Sequence, residues 1–181
     1  MQDDTRFVQT FDSPLGKVTI GSDGDFLTGL WLAEQKYFMD QVATVESKSE
    51  LPIFLETRSW LDRYFCGEDP GPIPAVRPYG TAFRQRVWEL LAEIPYGQLT
   101  SYGELARILA AERGIAKMSS RAVGGAVGHN PISIIIPCHR VIGSNGSLTG
   151  YGGGIARKIW LLELEGVDVG SLRIPTKGTA L

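Results

Sequence analysis

Cysteine and histidine are scarce in this chain of 181 residues: there are two cysteines, Cys66 and Cys138, and two histidines, His129 and His139. None of them stands in C-x-x-C or H-x-x-x-H spacing, which argues against a structural zinc site, and no metal is expected. The chain can form at most one disulfide, and a reducing cytoplasm argues against that one, so each cysteine has to be explained singly. Long apolar runs are also missing. None reaches the ~18 residues of a membrane helix, and the acidic start Met-Gln-Asp-Asp leads into no apolar stretch. Neither a membrane span nor a secretory signal is expected, and the expected location is the cytoplasm. Charge of one sign is not in excess either. A net charge of −2, with 43% hydrophobic and 21% charged residues, describes an ordinary globular protein, of a length that suits one large domain or two small ones.

The small net charge hides a division. Residues 1–80 carry 13 acidic and 7 basic side chains, whereas residues 81–181 carry 7 acidic and 11 basic. A polyanion, if one binds, is therefore expected on the C-terminal half. The switch coincides with residues 69–80, DPGPIPAVRPYG, whose prolines and glycines break regular structure. This stretch is read as a linker between a domain of residues 1–68 and one of residues 81–170, with 171–181 as a tail.

The first half reads as a small antiparallel sheet followed by a helix. Residues 7–11 and 17–22 have strand composition and are joined by the turn-rich Asp12-Ser-Pro-Leu-Gly16, and FLTGLWLA at 26–33 is a third strand candidate. Leu51, Phe54, Leu55, Leu61 and Phe65 recur at helical spacing, and Cys66 ends that helix in a structural role. The second half is more helical. Thr81 can cap a helix to about Glu93 with Phe83, Val87, Leu90 and Leu91 on its apolar face. Ser101-Tyr-Gly-Glu104 fits a capping box and opens a helix to about Ala111. After the polar stretch 112–118, Ser119 or Ser120 caps a short helix over Arg121–Val127, closed by Gly128. Helix, loop and short helix together have the outline of a helix-turn-helix.

The short helix is nearly bare: Ala122, Gly124, Gly125 and Ala126 leave little side chain on it, although glycine costs a helix up to ~1 kcal/mol against alanine. Either it packs tightly on another helix or its backbone closely approaches a ligand or groove. Pro131-Ile-Ser-Ile-Ile-Ile-Pro137 reads as a buried strand running directly into Cys138-His139-Arg140. A lone buried cysteine is usually a small hydrophobe, but the basic neighbours of Cys138 would lower a thiol pKa from ~8.5 and raise its thiolate fraction. A glycine-rich loop follows at 143–154. In the closing helix Ile155, Ile159 and Leu162 line one face, and Glu165 lies on that face as a carboxylate aimed inward at a partner.

The segments Ser101-Tyr102, Arg121-Ala-Val-Gly-Gly-Ala126, Asn130-Pro131, Ile136-Pro-Cys-His-Arg-Val141 and Tyr151-Gly-Gly-Gly154 stand in the order found in the O6-alkylguanine-DNA alkyltransferases, and the chain resembles that family. The match is strong over about residues 81–166 and holds only in outline over 1–68. The resemblance implies an α+β protein. Its small N-terminal sheet-and-helix domain would be ribonuclease H-like, and its mainly helical, winged-helix-like C-terminal domain would carry a helix-turn-helix. It implies a monomer that binds double-stranded DNA through the minor groove and flips out O6-alkylguanine, with O4-alkylthymine as a second substrate. The alkyl group would pass to the protein irreversibly, once per molecule and without a cofactor.

Residue by residue, the resemblance makes Cys138 the alkyl acceptor and His139 the base that deprotonates it through a bound water. Glu165 would be the carboxylate that orients His139, and Asn130 the hinge between the DNA-binding helix and the active-site turn. Arg121 would fill the gap left by the flipped nucleotide, with Ala122, Gly124, Gly125 and Ala126 against the groove. Tyr102 would help rotate the nucleotide and donate to guanine N3. The carbonyls of Cys138 and Val141 would read the exocyclic amine, while Tyr151 and Gly152 would wall the pocket and offer a backbone N–H to O6. Three departures stand out: the stretch 112–118 is longer than in many relatives, Gly152 replaces a serine, and the zinc ligands of some relatives have no counterpart. His129 is read as a loop residue or a phosphate contact.

Three other readings fit parts of the sequence. A thiol hydrolase would need turnover, and it usually draws its cysteine and histidine from distant segments. A non-catalytic alkylguanine sensor would lack the acceptor cysteine. A helix-turn-helix transcription regulator would present side chains to the major groove, for which a bare helix is unsuited.

Overall fold

The structure, a computed structural model, describes residues 4–39, 42, 45–47 and 50–174. The chain divides into two compact units, the first of residues 1–81 with 131–135 and the second of 82–130 with 136–181. Among the described residues, no helix is long and apolar enough to cross a membrane.

The first unit is a four-stranded sheet with one helix. Strands β1 (Phe7–Ser13), β2 (Gly16–Ser22) and β3 (Leu27–Leu32) form an antiparallel meander, and the short β4 (Glu46–Ser47) pairs in parallel with β1, giving the order β3-β2-β1-β4. All six residues of β3 are buried. Helix α1 (Pro52–Phe65) begins with proline in its first turn, where the missing N–H costs no helical bond. It buries Ile53, Phe54, Thr57, Trp60, Leu61 and Tyr64. This stripe differs from the expected one, because Leu55 lies 57% exposed while Trp60 and Tyr64 stack inside.

The outer edge of β3 would expose unpaired backbone groups, and two segments cover it. Leu27 donates its N–H to Ala75 and accepts one from Arg77. Leu30 donates to Pro131 and accepts from Ser133. Part of the expected linker is thus bonded to the sheet. Residues 131–137, expected as a strand, make a single bridge, Leu30↔Ile132, and then turn. The reason is local: Ile134 has φ 70°, a left-handed conformation rare for a β-branched residue, and it is incompatible with a continuing strand.

Trp31 lies across two glycines of the sheet. A Cβ on Gly29 would sit 1.9 Å from its ring, and one on Gly21 2.9 Å. Gly29→Ala should therefore destabilise the protein by at least about 1–3 kcal/mol, the usual cost of overpacking. Urea unfolding of the two proteins measures this, and equal midpoints would contradict the packing described.

The second unit contains α2 (Ala82–Ala92), β5 (Thr100–Ser101), α3 (Tyr102–Glu112), α4 (Ser120–Gly128), β6 (Val141–Ile142) and α5 (Ile155–Leu164). Helices α2 and α3 both pack on α4, and β5 pairs in parallel with β6. Ser101 Oγ caps α3 by accepting the Glu104 N–H at 3.0 Å. Of the two serines that the sequence offers as a cap for α4, Ser119 takes the position, accepting the Ala122 N–H. The protein is therefore α+β, a small sheet domain followed by a helical one. The portion of the expected tail beyond residue 174 lies outside the described residues.

Candidate active site

Cys138 does not stand at the end of a strand. It opens a 3-10 turn, Cys138–Arg140, held by Cys138 N–H to Ile136 O at 2.8 Å and Arg140 N–H to Pro137 O at 3.0 Å. Asn130, just beyond α4, reaches this turn with its side chain. Its amide nitrogen donates to Ile136 O at 2.7 Å and to the Cys138 sulfur at 3.2 Å. Because the carbonyl can only accept, it fixes which way the amide points. The end of α4 and the cysteine turn are thus joined through one buried side chain.

His139 and Arg140 both turn to Glu165, at the C-terminal end of α5. His139 Nε2 lies 2.6 Å from Glu165 Oε1. Arg140 grips the carboxylate with Nε at 2.8 Å and Nη2 at 3.0 Å, and its Nη1 donates to Ile94 O at 2.6 Å. The Gly97 N–H gives Oε2 a further bond at 3.1 Å. Burial alone would raise the Glu165 pKa, but the bonds from His139 and Arg140 outweigh it and hold the carboxyl at about 2. Burial pushes His139 below its ordinary value, more than Glu165 pulls it up. The pair is therefore a neutral imidazole on a carboxylate whose charge Arg140 balances. An ionised carboxylate can only accept, so Nε2 carries the hydrogen and the imidazole lone pair lies on Nδ1.

The sulfur's electrostatics differ from the sequence expectation. The basic neighbour Arg140 is committed to Glu165, so it does not lower the thiol. Burial pushes the Cys138 thiol up, while the Asn130 hydrogen bond and the charge of Lys158 pull it down. Sequence reasoning missed Lys158. It is fully buried, and its ammonium donates to Val141 O at 2.5 Å and Thr149 O at 3.0 Å. Its spacing of three or four residues from Ile155, Leu161 and Leu162, which puts it on the apolar face of the helix, was the available signal. Gly97, whose N–H bonds Glu165, was missed as well.

The other expected residues are distributed as follows. Tyr102 opens α3, and its hydroxyl donates to Thr149 O at 3.1 Å and Gly150 O at 3.4 Å. A Cβ at Gly150, which has φ 82°, would fall 2.4 Å from that hydroxyl, so glycine permits this contact. The Tyr151 ring stands edge-on to His139, with centroids 6.4 Å apart, and its buried hydroxyl has no hydrogen-bond partner among the described residues. Gly152 lies in the same loop. The Cys138 carbonyl accepts the Val141 N–H, and the Val141 carbonyl accepts Lys158, which leaves each oxygen a second lone pair.

On α4, Arg121, Ala122 and Gly125 are exposed and Gly124 is partly so. Nothing lies within 4 Å of a Cβ placed on Gly125. Ala126 corrects the expectation of a groove-facing residue: it is 2% exposed, and its carbonyl accepts the Trp88 indole N–H at 2.9 Å. Tight packing accounts for Ala126 but not for Gly125. His129 closes α4, its Nδ1 donating to Gly125 O at 2.7 Å, which is a helix-end contact.

Comparison with known proteins places this architecture. Residues 7–71 match the profile described as 6-O-methylguanine DNA methyltransferase, ribonuclease-like domain, and residues 82–167 match the DNA binding domain of the same family. A methylated-DNA–protein-cysteine methyltransferase of Haemophilus influenzae is 45% identical over 157 residues, covering 86% of this chain and 83% of that protein. A protein of the same name from Mycobacterium tuberculosis is 46% identical, covering 87% and 90%. The crystal structure of Mycobacterium tuberculosis OGT in complex with DNA superposes with a TM-score of 0.72 at 44% identity, covering 88% of this chain and 92% of that one. The chain belongs to the 6-O-methylguanine DNA methyltransferase family. Its residues 82–167 are the family's DNA-binding domain.

Proposed function

We propose that Cys138 is the acceptor in the reaction of this family, the repair of DNA by alkyl transfer from O6-alkylguanine to a protein cysteine. The observation that carries the assignment is the buried Cys138 sulfur, bonded by Asn130 and adjacent in the chain to a neutral His139 held by Glu165.

His139 takes the thiol proton through one water molecule, and the Glu165 carboxylate steadies the imidazolium that forms. The thiolate attacks the alkyl carbon in line, the carbon–O6 bond breaks, and the proton lost by sulfur ends on guanine. The product is a thioether without a leaving group that water displaces under mild conditions, so each molecule acts once. The base must leave the stack to reach Cys138, at a cost of a few kcal/mol. The exposed Arg121, Ala122 and Gly125 face of α4 enters the minor groove of double-stranded DNA, where bulky side chains would not fit. Tyr102 then releases the loop carbonyls and donates to guanine N3. The Cys138 and Val141 carbonyls accept from the exocyclic amine, and the backbone at Tyr151 and Gly152 meets O6. The protein acts as a cytoplasmic monomer, and O4-alkylthymine is a second substrate.

Intact mass spectrometry after incubation with duplex DNA containing O6-methylguanine tests this. One methyl group per molecule is expected, and it should map to Cys138. Methylation at Cys66, or repaired guanine in molar excess over protein, would overturn the assignment.

A further inference from the structure

A lysine that is fully buried is rare unless its charge is matched. The Lys158 ammonium has three donors, and two are spent on the carbonyls of Val141 and Thr149. Neither carbonyl carries a full negative charge. Glu165, seven residues further along the chain, is committed to His139 and Arg140. The group left that can become an anion near Lys158 is the Cys138 thiol, three residues before Val141. The two groups act on each other: Cys138 raises the Lys158 pKa against the burial that brings it down to about 8, and Lys158 lowers that of the thiol. The other titratable groups around them are His139 and Arg140 on the turn, Tyr102 of α3, Tyr151 of the loop with Arg157 acting on it, and Glu165 of α5.

We propose that Lys158 is a positioning residue for alkyl transfer: its ammonium supplies the positive charge that favours the Cys138 thiolate. The same group holds the Val141 and Thr149 carbonyls together. The Tyr102 hydroxyl bonds to the Thr149 carbonyl too, so one ammonium steadies the nucleophile and the backbone to which Tyr102 is anchored. The inference rests on Cys138 being the acceptor.

The test compares the wild-type protein with Lys158→Met and Lys158→Arg. Two rates are followed against pH: S-alkylation of Cys138 by chloroacetamide, a small neutral electrophile that needs no guanine pocket, and methyl transfer from O6-methylguanine in duplex DNA. Lys158→Met should move the midpoint of the chloroacetamide profile up by a pH unit or more, which is about tenfold less thiolate at neutral pH. Transfer from DNA should fall at least as much, and Lys158→Arg should restore most of both. A lysine with only a structural role would lower transfer from DNA yet leave the chloroacetamide midpoint where the wild type has it, and that result would overturn the proposal. If Lys158→Met does not fold, the Lys158 titration is followed by heteronuclear NMR in the wild type and in Cys138→Ser. Its pKa should drop when the sulfur is removed, and identical titrations would reject the coupling. Separated chloroacetamide profiles in a protein that takes no methyl group from DNA would instead sink the proposed function and leave the lysine's role standing.

Discussion

Glu165→Gln should cost about 3–5 kcal/mol of stability at neutral pH and slow alkyl transfer on the order of a hundredfold. The stability loss follows from what remains. Arg140 is 7% exposed, and it would keep its charge with only the Ile94 carbonyl and a neutral amide to face. Removing one partner of a buried ion pair typically costs ~3–5 kcal/mol, because the other charge stays buried without compensation. The rate loss follows from His139. Its orientation and tautomer depend on the 2.6 Å bond to Glu165, and a positioned general base contributes roughly 10²–10⁴. The two effects are separable by pH. The Glu165 pKa falls from 4.5 to about 2 on folding, so its contribution to stability is complete above 4.5 and is lost as pH falls towards 2. At about 1.4 kcal/mol per unit, roughly 3 kcal/mol is at stake. Urea unfolding of the wild type and Glu165→Gln at pH 7 and pH 3 should therefore show a gap that narrows in acid. A gap of constant size would mean that the carboxylate's charge is not what stabilises this end of α5.

The pattern of what was legible beforehand follows from range. Helices α3 and α4 could be placed from sequence because their determinants are local: the serines that cap them and the apolar spacing that follows. Asn130, Cys138 and His139 were singled out because they stand close together in the chain, and Glu165 because it falls on the apolar face of the closing helix. What could not be read was where charges and backbone bonds go in three dimensions. Arg140 looked like a partner for the neighbouring thiol, but its long side chain meets Glu165, 25 positions away in sequence. Lys158 was passed over, because nothing in the sequence announces that two carbonyls await its ammonium. The isoleucine run at 134–136 has strand composition, yet only one bridge forms before the left-handed turn at Ile134 brings the chain round to Cys138. The edge of β3 chose its cover by tertiary fit, and a composition rule cannot see that. Ala126 and Gly125 show the same limit within one helix: alike in the sequence argument, one is buried and the other exposed.

That distinction also frames what Arg121 should do. It is an exposed residue at the start of α4, next to the bare Ala122 and on the side away from the buried Val123, Ala126 and Val127. A long side chain there has two possible uses on DNA. It can enter the stack in place of a flipped nucleotide, or it can pair with a phosphate. Flipping matters only in a duplex, where unstacking costs a few kcal/mol, and each ~1.4 kcal/mol is a tenfold change in rate. If Arg121 fills the gap, Arg121→Ala should lose roughly one to two decades of transfer rate on duplex O6-methylguanine and react almost normally with O6-benzylguanine as the free base. A phosphate contact predicts a different pattern, with weaker DNA binding and a salt dependence flatter by about one unit of slope. Second-order transfer rates on both substrates at two salt concentrations distinguish these cases. Equal losses on the free base and the duplex would reject both, because the free base has neither a stack to fill nor a phosphate to meet. The arginine would then act on the pocket itself, and its exposure on α4 would be the wrong guide to its role.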